Sequence, residues 1–482
     1  MTASVEATIH AADQALREGR LNDAIAVYAQ ALAMDPTRSD VWYNRGWAER
    51  ADRRFADALA SYRAAIDSGL ARPQDAHLNR AAILSDHLFR PYDAIAELET
   101  ALQLDHRFVP AWLSLGAIYE DLGDSEKAAR AYQAALAEEP SNGRAHARLA
   151  VVAVSGGDAR AAVERLRAAL PAAPTVDDRA DMLFALGTAL DAQGLYDDAY
   201  QAVEAANWLA RSVAGTEYDE VAERTLLDRL IQTFRRPDAP AARQDDPVPV
   251  FICGLFRSGS TLAEQMLGRH SAVVAGGELE AVPAIARRLQ PYPEAVPGLR
   301  QCERTALRDQ YLRERAVIGE GLVTDKRCDN YLHIGLIKTL FPSARIVHTV
   351  RHPLDTLLSA WFLNFGEGVS WGHDLREAAR HYIQYRRLMA HWRTLWPDDI
   401  HDVSYDRMVA DPQNEMGDLL AWLNLPWEDA CLGDAPVSGP VRTASAWAVR
   451  GPISTRSSGR WRNYARYLDD VRRILADGGV EV

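Results

Sequence analysis

One alanine recurs through the first half of this chain at a nearly constant interval, and that recurrence dictates most of what the half can become. Ala24, Ala58, Ala94, Ala128, Ala162 and Ala199 lie 34, 36, 34, 34 and 37 residues apart. A period of this length means paired helices, each pair too small to bury its apolar face except against its neighbours. The spacing predicts six helix–turn–helix units across 5–213, with small insertions near 72–74 and 174–178. Sterics supply the reason for the other recurring residues. Gly46, Gly116 and Gly187 let the two helices of a unit approach closely, and Tyr28, Tyr62 and Tyr132 are expected to fill the gaps between units. The Trp and Tyr residues of the array are read as packing, not as ligands. Stacked units of this kind form a superhelix with a concave face suited to a peptide or protein, and a dimerising array is the competing reading.

The fullest unit is "AWLSLGAIYEDLGDSEKAARAYQAALAEEP". Its Trp112, Leu115, Gly116, Tyr119, Ala128, Tyr132, Ala135 and Pro140 resemble the tetratricopeptide pattern position by position. Past Ser212 the pattern fades into one more helical stretch and then "RRPDAPAARQDDPVP", rich in Pro and Ala without periodicity. A helical cap and linker over 214–247 follows, with a domain boundary near Pro247.

With 482 residues, more than one core is expected. The formal charge of −13 argues against sequence-blind nucleic-acid binding, because most of the surface would repel a phosphate polymer. No apolar run approaches the roughly 20 residues of a membrane helix, and "MTASVEATIHAADQALREGR" lacks a secretory pattern. Cys253, Cys302, Cys328 and Cys431 are isolated, which suggests neither a zinc site nor a disulfide framework. The expected setting is cytoplasmic.

The second half, 248–482, changes class. "VPVFICG", "GLVTDK" and "SARIVHTV" read as short buried parallel strands, separated by helical stretches such as "HDLREAARHYIQYRRLMAHWRTLW". That alternation predicts an α/β domain with a central parallel sheet, whose ligands sit at the carboxyl ends of strands. "VFICGLFRSGST" runs from such a strand through a glycine turn into a helix, the geometry in which backbone N–H groups hold a phosphate. Gly254 and Gly259 have the spacing of a nucleotide triphosphatase loop, yet Ser260 stands where that loop has its Lys, and a cation comes early as Arg257. A second motif, "RHPLDTLLSAW", places Arg351 at a strand end and Ser359 two helical turns on. Two anchors on adjacent strands suit a ligand with two separated phosphate groups.

"FRSGSTLAEQMLGRHSAVVAGGELE", "TDKRCDNYLHIGLI", "RIVHTVRHPLDTLLSAWFLNF" and "RSSGRWRNY", in that order, resemble the sulfotransferases that use 3′-phosphoadenosine-5′-phosphosulfate. The likeness is to the bacterial group that joins tetratricopeptide repeats to a domain related to the tyrosylprotein sulfotransferases, with a P-loop-like fold. The resemblance implies that Arg257, Ser258, Gly259, Ser260 and Thr261 hold the 5′-phosphate, Arg351 and Ser359 the 3′-phosphate, and that Tyr405 lies near the nucleotide. It makes Arg450, Arg456 and also Arg460 candidates for a loop closing over the donor. Lys326 would be a second cation at the transferring centre, and the reaction would need no metal and leave adenosine 3′,5′-bisphosphate. Cytosolic members carry a His base two residues after the equivalent Lys, where this chain has Cys328. The tyrosylprotein enzymes use a Glu that aligns with Glu278, with Glu280 as the alternative. The acceptor stays open: a tyrosine of a peptide or protein, a carbohydrate or a small hydroxylated compound. A P-loop kinase or triphosphatase, and a repeat scaffold with an inactive nucleotide-binding domain, are the competing readings. His348 and His352 are read as packed or capping groups, and Tyr382, Tyr385, Met389, Trp392 and Trp396 as a core stripe. The stretch 281–320 is read as a substrate-side flap.

Overall fold

The computed structural model describes residues 4–215, 217–236, 249–319, 321–433, 441 and 446–482. The expected boundary at Pro247 and most of the linker lie outside the described residues. By packing, the chain divides into two compact units, Met1–Ala145 and His146–Val482. The division falls in the first turn of the fifth repeat's first helix, Gly143–Ser155.

Within the first unit four helix pairs follow one another, from Val5–Arg17 with Leu21–Met34 to Val109–Leu122 with Ser125–Glu138. The marker alanines Ala24, Ala58, Ala94 and Ala128 are fully buried. A Cβ on Gly46 would lie 3.1 Å from the ring of Tyr62, and one on Gly116 only 2.4 Å from that of Tyr132. Tyr62 and Tyr132 therefore fill the space inside a unit, over the glycine of the facing helix, and do not bridge between units as expected. Tyr28 also stays within its own pair, its hydroxyl donating to Asp13 at 2.5 Å, although the facing helix Val5–Arg17 has no glycine. For Tyr62 and Tyr132 the reason is size: a glycine leaves a gap one ring wide, and the partner helix supplies that ring. Gly116→Ala should therefore overpack the fourth repeat and lower unfolding free energy by about 1–3 kcal/mol, read as a fall in the denaturant midpoint.

The second unit holds the fifth and sixth repeats, the helix Glu220–Thr233 and the α/β domain. Five strands, β1 (Val250–Gly254), β2 (Val273–Val274), β3 (Leu322–Lys326), β4 (Arg345–Val350) and β5 (Ile400–Ser404), form one sheet in the order β2-β3-β1-β4-β5. All pairings are parallel. Both faces are covered, so β1 reads as an unbroken apolar run instead of an alternating one. Phe251 and Cys253 enter one core, and Val250 and Ile252 the other. The first of these cores continues without a break into Val203, Ala206 and Ala210 of the sixth repeat.

The stretch 281–320 is less flap-like than expected. It carries helices Ala281–Arg288 and Gln301–Ala316, and Tyr311 of the second packs its ring against Phe251 and Phe341. Tyr382, Tyr385, Met389, Trp392 and Trp396 are all buried along the helix Leu375–Leu395 and its cap. No helix among the described residues is long and apolar enough to cross a membrane.

Candidate functional site

The chain leaves β1 toward β2 on one side of the sheet and leaves β4 toward β5 on the other, so the crevice between the carboxyl ends of β1 and β4 is the place where an open parallel sheet takes its ligand. The loop there leads into the helix Ser260–Leu267. Two residues in it have left-handed backbone, Arg257 with φ of 72° and the cap residue Gly259 with φ of 104°. A Cβ at Gly259 would lie 2.7 Å from Tyr405, so glycine is needed for conformation and for the aromatic ring pressed on it. Arg257 tolerates its φ without that freedom, which marks a position where the guanidinium is worth local strain. Ser258 is held by a 2.7 Å hydrogen bond between its hydroxyl and that of Thr349 on β4. Ser260 Oγ meets Cys328 Sγ at 3.3 Å, tying the helix start to the chain leaving β3. Thr261 is buried in the first turn.

The second motif converges on the first. Pro353 opens the helix Pro353–Trp361, and Ser359, two turns along it, accepts from Arg257 Nε at 3.1 Å. Arg351, at the end of β4, donates to the carbonyl of Arg257 at 3.1 Å and to that of Ser457. Its guanidinium lies 4.5 Å from the ring centre of Tyr405. Arg351 Nε is buried and has no hydrogen-bond partner among the described residues. Desolvation and then the charge of Arg351 push the Arg257 guanidinium down to about 10, and desolvation lowers Arg351 as well. Both remain cationic at neutral pH, and two guanidiniums crowded in this way favour an anion between them.

At the end of β3, Lys326 is almost wholly buried and donates to Glu278 Oε1 at 2.6 Å. Burial opposes its charge, but Glu278 and Glu264 raise it above the ordinary lysine value. Glu264, buried beneath, accepts from the Gly277 N–H at 2.9 Å and from Thr324 at 2.8 Å, and so sets the strand-end loop that carries Glu278. Glu278 keeps 40% of its side-chain surface exposed. Glu280 is braced differently, between Arg327 and Arg287. Burial works to raise it, but Arg327, by charge and hydrogen bond, and Arg287 hold it below the usual carboxylate range.

The C-terminal arginines separate. Arg450 ends the helix Ala446–Arg450, whose Val449 packs on Leu262 of the loop helix. Arg456 is exposed, one residue before the carbonyl that Arg351 engages. Arg460 turns away to Asp191 at 3.0 Å, an ion pair that only the folded repeat could reveal. His348 and His352 are packing groups: the first is buried between Asp402 and Tyr385, the second stacks on Trp461. Two acids went unread in the sequence. Asp355 accepts from the N–H groups of Gly459 at 2.6 Å and Trp461 at 2.8 Å, and Asp406 accepts from that of His352 at 2.9 Å and from the Ser458 hydroxyl at 2.5 Å. Each carried one faint local signal, an acid in the first turn of a helix.

Residues 249–429 match the model of the sulfotransferase family, and 10–81, 90–143 and 120–186 match tetratricopeptide repeat models. An uncharacterized protein of Aquifex aeolicus (strain VF5) is 31% identical over 327 residues, 64% of this chain and 43% of that protein. Protein-tyrosine sulfotransferase 1 of Danio rerio is 24% identical over 278 residues, 52% of this chain and 75% of that protein. The sulfotransferase domain of the Synechococcus PCC 7002 olefin synthase aligns with 50% of this chain and 99% of its own at 18% identity and a TM-score of 0.37. The chain thus spans less than half the length of the Aquifex protein and three quarters of the Danio one. Residues 249–429 thus resemble the sulfotransferase family, behind stretches that resemble tetratricopeptide repeats.

Proposed function

We propose that this chain is a sulfotransferase that moves a sulfuryl group from 3′-phosphoadenosine-5′-phosphosulfate to an acceptor hydroxyl. The observation that carries the reading is the meeting of Arg257 with Ser359 at 3.1 Å, with Arg351 alongside, above the carboxyl ends of β1 and β4, where the chain connections diverge. The buried Nε of Arg351, without a hydrogen-bond partner among the described residues, fits the phosphate of such a donor. The donor supplies the sulfuryl group on a phosphate leaving oxygen. Arg257 and the N–H groups of Ser258, Gly259, Ser260 and Thr261 stabilise charge growing on that oxygen, while Arg351 and Ser359 hold the second phosphate. Tyr405 braces both grips through its ring, and Arg450 and Arg456 contribute cations from the C-terminal segment.

Lys326 sits at the transferring centre, and Glu278 takes the proton from the acceptor hydroxyl. Glu278 suits that task better than Glu280. Its Oε1 holds Lys326 while the exposed remainder of the carboxylate is open to an acceptor, whereas both oxygens of Glu280 are engaged by arginines. The name of the Danio rerio relative favours a tyrosine acceptor, which the repeats would present as part of a peptide or protein. Four unbridged cysteines suit a reducing, cytoplasmic setting.

Isothermal titration tests the donor reading. Adenosine 3′,5′-bisphosphate should bind without metal and more tightly than ATP with magnesium. Tighter ATP binding that depends on magnesium would instead favour a nucleotide kinase or triphosphatase.

A further inference from the structure

The sixth repeat consists of the helices Val176–Ala192 and Tyr196–Ala214. Asp191 lies in the last turn of the first, where the helix dipole disfavours an acid. Its position makes sense through its partners. It accepts from Arg460 Nε through both oxygens, at 3.0 and 3.2 Å, and from the Tyr464 hydroxyl. Arg460 is further fixed by the ring of Phe362, 4.2 Å below its guanidinium. In the second helix, Asp197 takes Arg466 and the Tyr467 hydroxyl, and the Tyr200 ring stacks on Tyr467 at 3.8 Å. Asn207, buried, donates to the carbonyl of Trp361 at 2.9 Å. That carbonyl ends the helix bearing Ser359, where the last carbonyls have no partner within the helix.

The segment 457–464 is thus held from two sides. Arg351, Asp406 and Asp355 hold its beginning, through Ser457, Ser458, Gly459 and Trp461. Asp191 holds its end. We propose that the sixth repeat is a working part of the donor site, with Asp191 as a positioning residue that keeps 457–464 drawn over Arg351. The inference rests on reading Arg257, Arg351 and Ser359 as the donor grips. Because coupling is reciprocal, a donor that tightens this segment also tightens the sixth repeat.

The test uses the full chain and its Asp191→Asn variant, with adenosine 3′,5′-bisphosphate as the probe. Couplings of ordinary size change affinity about 5- to 150-fold, and a loss of about tenfold is expected for this variant. Amide exchange followed by mass spectrometry, without ligand, should rise in 455–464 and stay unchanged in β1, β3 and β4. Asp191→Glu should recover part of the affinity, and Tyr464→Phe, a milder change, should weaken binding in the same direction. Wild-type affinity in Asp191→Asn, or exchange raised evenly through the sheet, would overturn the inference and leave the donor reading standing. If the wild type does not bind the bisphosphate, the donor reading fails and this inference with it.

Discussion

Glu278→Gln is expected to reduce transfer by about 10²- to 10⁴-fold, the usual worth of a positioned general base, while bisphosphate affinity stays within about twofold of wild type. The change is nearly isosteric, so the amide oxygen can still accept from Lys326 Nζ, now 2.6 Å from the carboxylate. The proposed proton acceptor is lost and the shape of the site is kept. Glu280→Gln supplies the contrast, because Glu280 already spends its charge on Arg327 and Arg287 and should lose local packing more than turnover. Transfer from labelled donor to a tyrosine peptide or to native lysate, alongside titration, separates the two. If Glu278→Gln keeps full turnover, the base lies elsewhere.

Arg257→Gly should show opposite signs in activity and stability. Removing a donor aimed at developing charge costs about 10²- to 10³-fold in turnover. Yet Arg257 holds φ of 72°, a backbone region that costs a residue with a Cβ roughly 1–2 kcal/mol and costs glycine almost nothing. The variant also relieves the repulsion between two crowded guanidiniums. It is expected to lose activity and to denature at an equal or higher midpoint, both measurable on one preparation. A variant both inactive and less stable would mean that Arg257 serves chiefly to hold Ser359 and the loop.

The two motifs proposed to bind anions were readable because each is local: a strand, a turn and a helix start within about a dozen residues declare themselves through glycine, Pro and apolar runs. β1, β3 and β4 were readable for the same reason. β2 has only two residues, and β5, "IHDVS", mixes polar groups into an edge position, so neither carries a strong apolar signal. What stayed hidden was long-range pairing. Arg460 looks like any other arginine of a basic C-terminal segment until the fold brings Asp191, far earlier in the chain, against it. Asp355 and Asp406 were nearly silent because three of the four groups they accept from are backbone N–H groups, which no side-chain pattern announces. The tyrosines of the repeats were assigned to the right task but the wrong gap, since periodicity tells which residues face inward and not which neighbour they meet.

The split of the chain at Ala145 bears on how such a protein can diversify. The repeats before that point pack as a compact unit of their own, which suits them to being exchanged or lengthened. The last two do not. Cutting the α/β domain out at the seam its motifs suggest would strip Val203, Ala206 and Ala210 from the core that also holds Phe251 and leave oily surface in water. The smallest piece able to stand alone is therefore larger than the motifs delimit.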